Sequence, residues 1–148
     1  MTGVQTCALP ISEAKERYGA SVNFAGTSKS YYEEGVKQSF RMLGADVSTA
    51  TFLLTSGINN SDFIASTNKL NAIAYQKWIA LANFSGLEAW SEYRKTNFPV
   101  TPQSVNYVGA ERPLRFYYPN TEKAANGVNV DAQGAIDPLK TRIFWDVD

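Results

Sequence analysis

The sequence predicts an all-α chain of helical hairpins, closed by a long loop-rich C-terminal segment. Three observations lead there. Apolar residues recur at steps of three and four along most of residues 27–97, the spacing of one helix face rather than of a strand. These stretches open near Ser, Thr or Asp and stop at Gly or before Pro, the residues that cap and end helices. After Pro99 the period is lost among Pro, Gly and Asn. The helical part is therefore placed at 13–97, and the loop-rich part, expected to wrap it, at 98–148.

The first residues stand apart. MTGVQTCALPIS carries no charge and holds the only cysteine, Cys7. A secretory signal needs a basic start and an apolar stretch, yet Val4 is the one large aliphatic residue before the cysteine. A lipobox would put Leu and small residues directly ahead of Cys7, where Val4, Gln5 and Thr6 stand. No neighbouring cation is present to activate the thiol. Met1–Ile11 reads instead as the codon-by-codon translation of a sequencing-library adapter, with GTG read as the start. In the domain division residues 1–12 are accordingly set aside as an artefact, with the protein's own sequence starting near Ser12 or Glu13 and its domain taken as 13–148. On this reading the chain is a fragment whose own cysteine count is zero.

EAKERY (Glu13–Tyr18) reads as the tail of a helix, followed by a loop to Gly26. TSKSYYEEGVKQSFRMLGAD is a helix with Thr27 or Ser28 as cap, and Ser30 with Glu33 also fits a capping box. Its inward face is Tyr32, Val36, Phe40 and Leu43; Lys29, Glu33, Lys37 and Arg41 line another, and Gly44 ends it. A short helix follows from about Val47, with Ser48 as a possible cap. GINNSD is a turn, with Ser61 or Asp62 capping a helix from Phe63 to about Asn83. Its apolar stripe is Leu70, Ile73, Ala74, Trp78 and Leu81. Gly86 breaks it, and LEAWSEYRKT turns Leu87, Trp90 and Tyr93 inward until Pro99 stops the helix. PLRFYYPN has room for a short strand, EKAANGVNVDAQGAIDP is polar and turn-rich, and Phe144 and Trp145 are expected to pack back onto the helices.

Composition narrows the function. In 148 residues, 14 basic and 14 acidic side chains balance, so nothing resembles a nucleic-acid groove or a polybasic membrane patch. No apolar run reaches the roughly 20 residues that span a bilayer. Histidine is absent, which removes the commonest general base and metal ligand. Neither cofactor, metal nor catalytic residue is expected. Eight Tyr, eight Phe and three Trp are core material first and sugar-stacking platforms second.

NVDAQGAI places Asn129, Asp131 and Gln133 at calcium-loop spacing, but Lys140 stands where the bidentate Glu belongs; a solvated turn is the better reading. Glu88 and Glu92, one turn apart, could serve glycoside hydrolysis only if they flanked a bond from two sides; with Arg94 and Lys95 close by, surface charges or a salt-bridged helix face are the plainer readings. RFYYP presents Phe116, Tyr117 and Tyr118 in alternation, so one side is core and the other a candidate stacking surface.

AYQKWIALANFSGLEAWSEYRKTNFP resembles the signature of the SusD/RagB family, in its broad SusD-like branch. Gln76, Lys77 and Trp78 match the family's Gln-Lys-Trp helix; Gly86 to Trp90 match its Gly-Leu-Glu-Ala-Trp turn; Arg94 and Pro99 close the motif. SYYEEGVKQSF, RPLRFYYPNTE and RIFWDVD are similar to its flanking motifs, so the resemblance runs from Ser12 to Asp148. It implies the C-terminal part of an all-α superhelix with tetratricopeptide-like helix pairs. It implies a surface-exposed outer-membrane lipoprotein of Bacteroidetes that binds a glycan or other nutrient without catalysis. Its implied partner is a SusC-like TonB-dependent transporter, with no nucleic acid. The lipid anchor would lie outside this fragment, and Cys7 is not that anchor. No family ligand residue is carried over; Asn106, Tyr107 and Tyr117 are the ligand-binding candidates, by side-chain type and setting. Missing helix pairs would leave an apolar face uncovered. The rival reading is a generic tetratricopeptide-like interaction module with no carbohydrate role, which the Pro- and Asn-rich stretch after Pro99 fits badly.

Overall fold

The structure, a computed structural model, describes residues 4–103, 105–106 and 111–144, with side chains from residue 7 onward. It divides into two compact units, Met1–Thr101 and Pro102–Asp148. Among the described residues there is no strand; the chain is all-α, as predicted.

The first unit holds five α-helices: α1 (Val4–Tyr18), α2 (Ser28–Met42), α3 (Val47–Leu54), α4 (Lys69–Leu81) and α5 (Gly86–Thr96). Consecutive helices pair, α1 on α2 and α4 on α5, while α1 and α2 each also touch α4 and α3 lies on α2. Where they meet, Leu9, Tyr32, Val36, Ala50, Leu54, Phe63, Ala72 and Ile73 form one buried cluster. Tyr32 and Phe63 lie ring to ring at 5.1 Å. The Tyr32 hydroxyl is within hydrogen-bond reach of the carbonyls of Ser61 at 2.9 Å and Asn60 at 3.2 Å. A buried ring thereby fastens the turn between α3 and α4.

The capping chemistry resolves the alternatives left by sequence. Thr27 caps α2: its hydroxyl accepts from the Ser30 N–H at 3.1 Å, and the Ser30 hydroxyl accepts from the Thr27 N–H at 2.9 Å. Asp46, not Ser48, caps α3 by accepting from the Ser48 N–H at 2.9 Å. Asp62 does not start a long helix. Its Oδ1 accepts from Ile64 and Ala65 and closes a turn, so α4 begins only at Lys69 under an Asn68 cap. Asn97, left-handed at φ 51°, ends α5.

Helix α1 is longer than the Glu13–Tyr18 tail anticipated. It begins at Val4, carries Pro10 inside it, and buries Ala8, Leu9, Ser12 and Glu13. The helix is held by packing rather than propensity, since interior Pro costs about 3 kcal/mol. On the predicted inward faces, Tyr32, Val36, Ile73 and Ala74 are buried and Phe40, Leu70 and Leu81 half-buried. Leu43 and Leu87, expected inside, are 63% and 65% exposed. Phe52 and Ile64 are also open, so the unit presents scattered apolar surface.

The second unit is loop-rich but contains a helix that the composition hides: α6 (Asn120–Ala132), which starts after Pro119 and bends at Asn126 (φ −137°, ψ 33°). Three Asn and one Gly give it poor propensity. Pro119, however, fixes an extended entry, and side-chain bonds link Asn126 to Glu122 and Asn129 to Asn126. Asn129 and Asp131 therefore sit on a helix, not in a calcium-type loop. The stretch before α6 is tied to the segment after it by Leu114 N–H donating to the Pro138 carbonyl at 2.8 Å. Phe144 is 94% exposed instead of packed back; Trp145 lies outside the described residues.

Candidate ligand-binding site

Of the three residues singled out for ligand contact, Asn106 and Tyr117 are described and both are exposed; Tyr107 lies outside the described residues. Tyr117 does not alternate with its neighbours. Without a strand to enforce a pleat, Phe116 and Tyr117 are both open, at 64% and 63%, and Tyr118 is half-buried. The Arg115 guanidinium sits 5.0 Å above the Tyr118 ring, a cation–π contact, and its Nε donates to the Phe116 carbonyl at 3.3 Å. Two adjacent aromatic faces are thus offered to solvent on a stretch fixed at Leu114 and Tyr118. Such a surface can stack on a flat apolar sugar face.

The two glutamates weighed for hydrolysis part company. Glu88 is exposed in the first turn of α5, whereas Glu92 faces the first unit's interior and is bonded to Lys77 and Lys95. They do not flank a common space.

Glu92 belongs to a cluster of five charged side chains from α1, α4 and α5. Lys77, 8% exposed, lies between Glu13 of α1 and Glu92 of α5, with its Nζ 2.9 Å from Glu13 Oε2. Lys95 reaches Glu13 Oε1 at 2.7 Å and Glu92 Oε1 at 3.2 Å, and Arg17 Nε reaches Glu13 Oε1 at 2.8 Å. Burial pushes the Glu13 carboxyl up, but hydrogen bonds from Lys95, Lys77 and Arg17 outweigh it and bring it down to about 2. Lys95 is raised despite its partial burial, because Glu13 and Glu92 favour its charge. Sequence reading placed Lys77 in a motif without seeing its role. A signal existed: Lys77 follows Ile73 by one turn, so a stripe buried through Ile73 and Ala74 must also bury Lys77.

The rest of the Gln-Lys-Trp motif is structural too. Gln76 Nε2 donates to the Asn60 carbonyl at 3.0 Å. Trp78 is stacked on Tyr75 at 6.4 Å and 24°, and Tyr75 meets Phe98 edge-on at 6.4 Å. Arg94 lies 4.8 Å above the half-buried Trp90. Gln76 and Lys77 thus join α4 to neighbouring elements, whereas the Trp78–Tyr75 and Arg94–Trp90 contacts stiffen α4 and α5 from within.

Comparison with known proteins agrees with this arrangement. The profile of the SusD-like family, described as starch-binding and associating with the outer membrane, matches residues 14–119. Among solved structures, a chitin-binding SusD homologue from Flavobacterium johnsoniae superposes with a TM-score of 0.73 and 29% identity. It covers 100% of this chain, and the chain spans 36% of its length. A search of curated proteins found no significant sequence match. With the profile covering most of its length, the chain belongs to the SusD-like family.

Proposed function

We propose that the protein of which this chain forms part binds a glycan at the bacterial cell surface without chemical conversion and delivers it to a SusC-like TonB-dependent transporter. It does so as a surface-exposed outer-membrane lipoprotein. The observation that carries this reading is the correspondence of the entire chain to a chitin-binding SusD homologue. The open Phe116–Tyr117 pair supports a stacking contact, and Asn106 supplies an amide in the same compact unit. An equal count of acidic and basic side chains suits an uncharged ligand.

The test is calorimetric titration of the full-length protein with chitin and starch oligosaccharides. Binding is expected to one of the two series, with Tyr117→Ala weakening it about tenfold, or about 1.4 kcal/mol. Unchanged affinity in Tyr117→Ala removes Tyr117 from the site. A full-length protein that binds neither series, nor any member of a glycan array, overturns the carbohydrate reading. Co-purification with a transporter barrel encoded beside it tests delivery separately.

A further inference from the structure

We infer that α2 carries a slot at Gly35 for one aliphatic side chain of an upstream helix, and that the residues now filling it stand in for a native helix of the same register. The second half rests on reading Met1–Ile11 as an adapter artefact.

Gly35 sits in the middle of α2, buried, where glycine weakens a helix by about 1 kcal/mol relative to alanine. Its place is explained by what lies against it. A Cβ at Gly35 would stand 2.7 Å from Leu9 Cγ and 2.9 Å from Leu9 Cδ2, closer than real Cβ contacts come. Leu9 is 2% exposed and belongs to the central cluster with Tyr32, Val36 and Ile73. Leu9 is thus a knob and Gly35 the hole cut for it. The hole lies in the protein's own sequence, while the knob lies in the adapter-like segment.

The register of that helix is set from the other side of the junction. Ser12 and Ser28 exchange two bonds, Ser12 Oγ to the Ser28 carbonyl at 2.8 Å and Ser28 Oγ to the Ser12 carbonyl at 2.9 Å. One residue on, Glu13 is held by Lys77 and Lys95. With those positions fixed, a helix continuing upstream brings residue 9 onto the same face, three before Ser12 and four before Glu13. Any native helix joined at Ser12 therefore delivers its residue 9 to Gly35. The segment present bears a mark of not having been selected for this role: Pro10, exposed and inside the helix, where it removes a backbone bond.

Two measurements test the inference and separate its parts. The first is a double-mutant cycle in the 148-residue chain, read as urea midpoints. Gly35→Ala should lower the midpoint when Leu9 is present, and leave it unchanged or raise it when combined with Leu9→Ala. If Gly35→Ala raises the midpoint with Leu9 in place, the slot is refuted. The Leu9→Ala background keeps the comparison available even if Gly35→Ala alone fails to fold. The second is the genomic sequence upstream of Ser12. An aliphatic residue at position 9 and no proline at 10 are expected. A charged residue, glycine or proline at position 9 overturns the stand-in reading. Genomic DNA that encodes MTGVQTCALPIS itself overturns the artefact reading, and with it the stand-in half, while the cycle still decides the slot.

Discussion

Replacing Lys77 with methionine probes the part of the fold where most depends on one side chain. Methionine keeps the length and apolar stem of lysine but removes the charge shared by Glu13 and Glu92. Removing one partner of a buried ion pair typically costs 3–5 kcal/mol, because the remaining charge is left uncompensated. Here Lys95 and Arg17 still reach Glu13 and Lys95 still reaches Glu92, so the lower end, about 3 kcal/mol, is expected. The acid behaviour of Glu13 bounds the effect from the other side, since it reports Lys95, Lys77 and Arg17 together. Its carboxyl falls from 4.5 to about 2 on folding, and at about 1.4 kcal/mol per unit this is worth about 3 kcal/mol. Since the folded value is the lower one, that stability is present above pH 4.5 and is lost as the pH falls towards 2. Urea unfolding followed by circular dichroism, at pH 7 and stepwise down to pH 3, reads both effects. The variant should be less stable at pH 7 and show a shallower loss between pH 4.5 and 3. A loss under about 1 kcal/mol at pH 7 together with an undiminished acid slope would refute the reasoning, and would mean that Lys95 and Arg17 neutralise Glu13 without Lys77.

Two further changes have expected outcomes. Thr27→Ala removes one half of the reciprocal capping pair on α2 and should cost about 1 kcal/mol in the same urea titration. Tyr32→Phe keeps the buried ring against Phe63 but removes the hydroxyl at the Asn60 and Ser61 carbonyls. It should cost about 1 kcal/mol and speed amide exchange in the turn between α3 and α4.

Helix existence and type in the first unit were legible because capping residues and apolar spacing point the same way. Thr27 before an apolar stripe at Tyr32 and Val36 left little choice for α2. Where sequence reading went astray, a local bond or tertiary packing outweighed the pattern. Asp62 looks like a helix cap by type, but its carboxylate closes a turn, and six residues pass before α4 starts. Helix α6 was hidden by three Asn and one Gly that propensity alone assigns to loops. The open Phe116–Tyr117 pair was half legible. The aromatic run was evident, but the assumption of a pleat turned Phe116 to the wrong side. The Glu13–Lys77 contact was invisible in sequence, because nothing local links residues 64 positions apart.

That same separation bears on how the chain emerges from the ribosome. Glu13 leaves 64 residues before its partner Lys77, which at typical translation speeds of 5–20 residues per second is an interval of about 3–13 s. Throughout it Glu13 has neither of its lysine partners, Lys77 and Lys95. The charge of Glu13 is met by lysine inside the fold only once the third turns of α4 and α5, which carry Lys77 and Lys95, have been made. A stall in synthesis between residues 20 and 77 would leave the Glu13 carboxylate without its buried lysine for as long as the stall lasts.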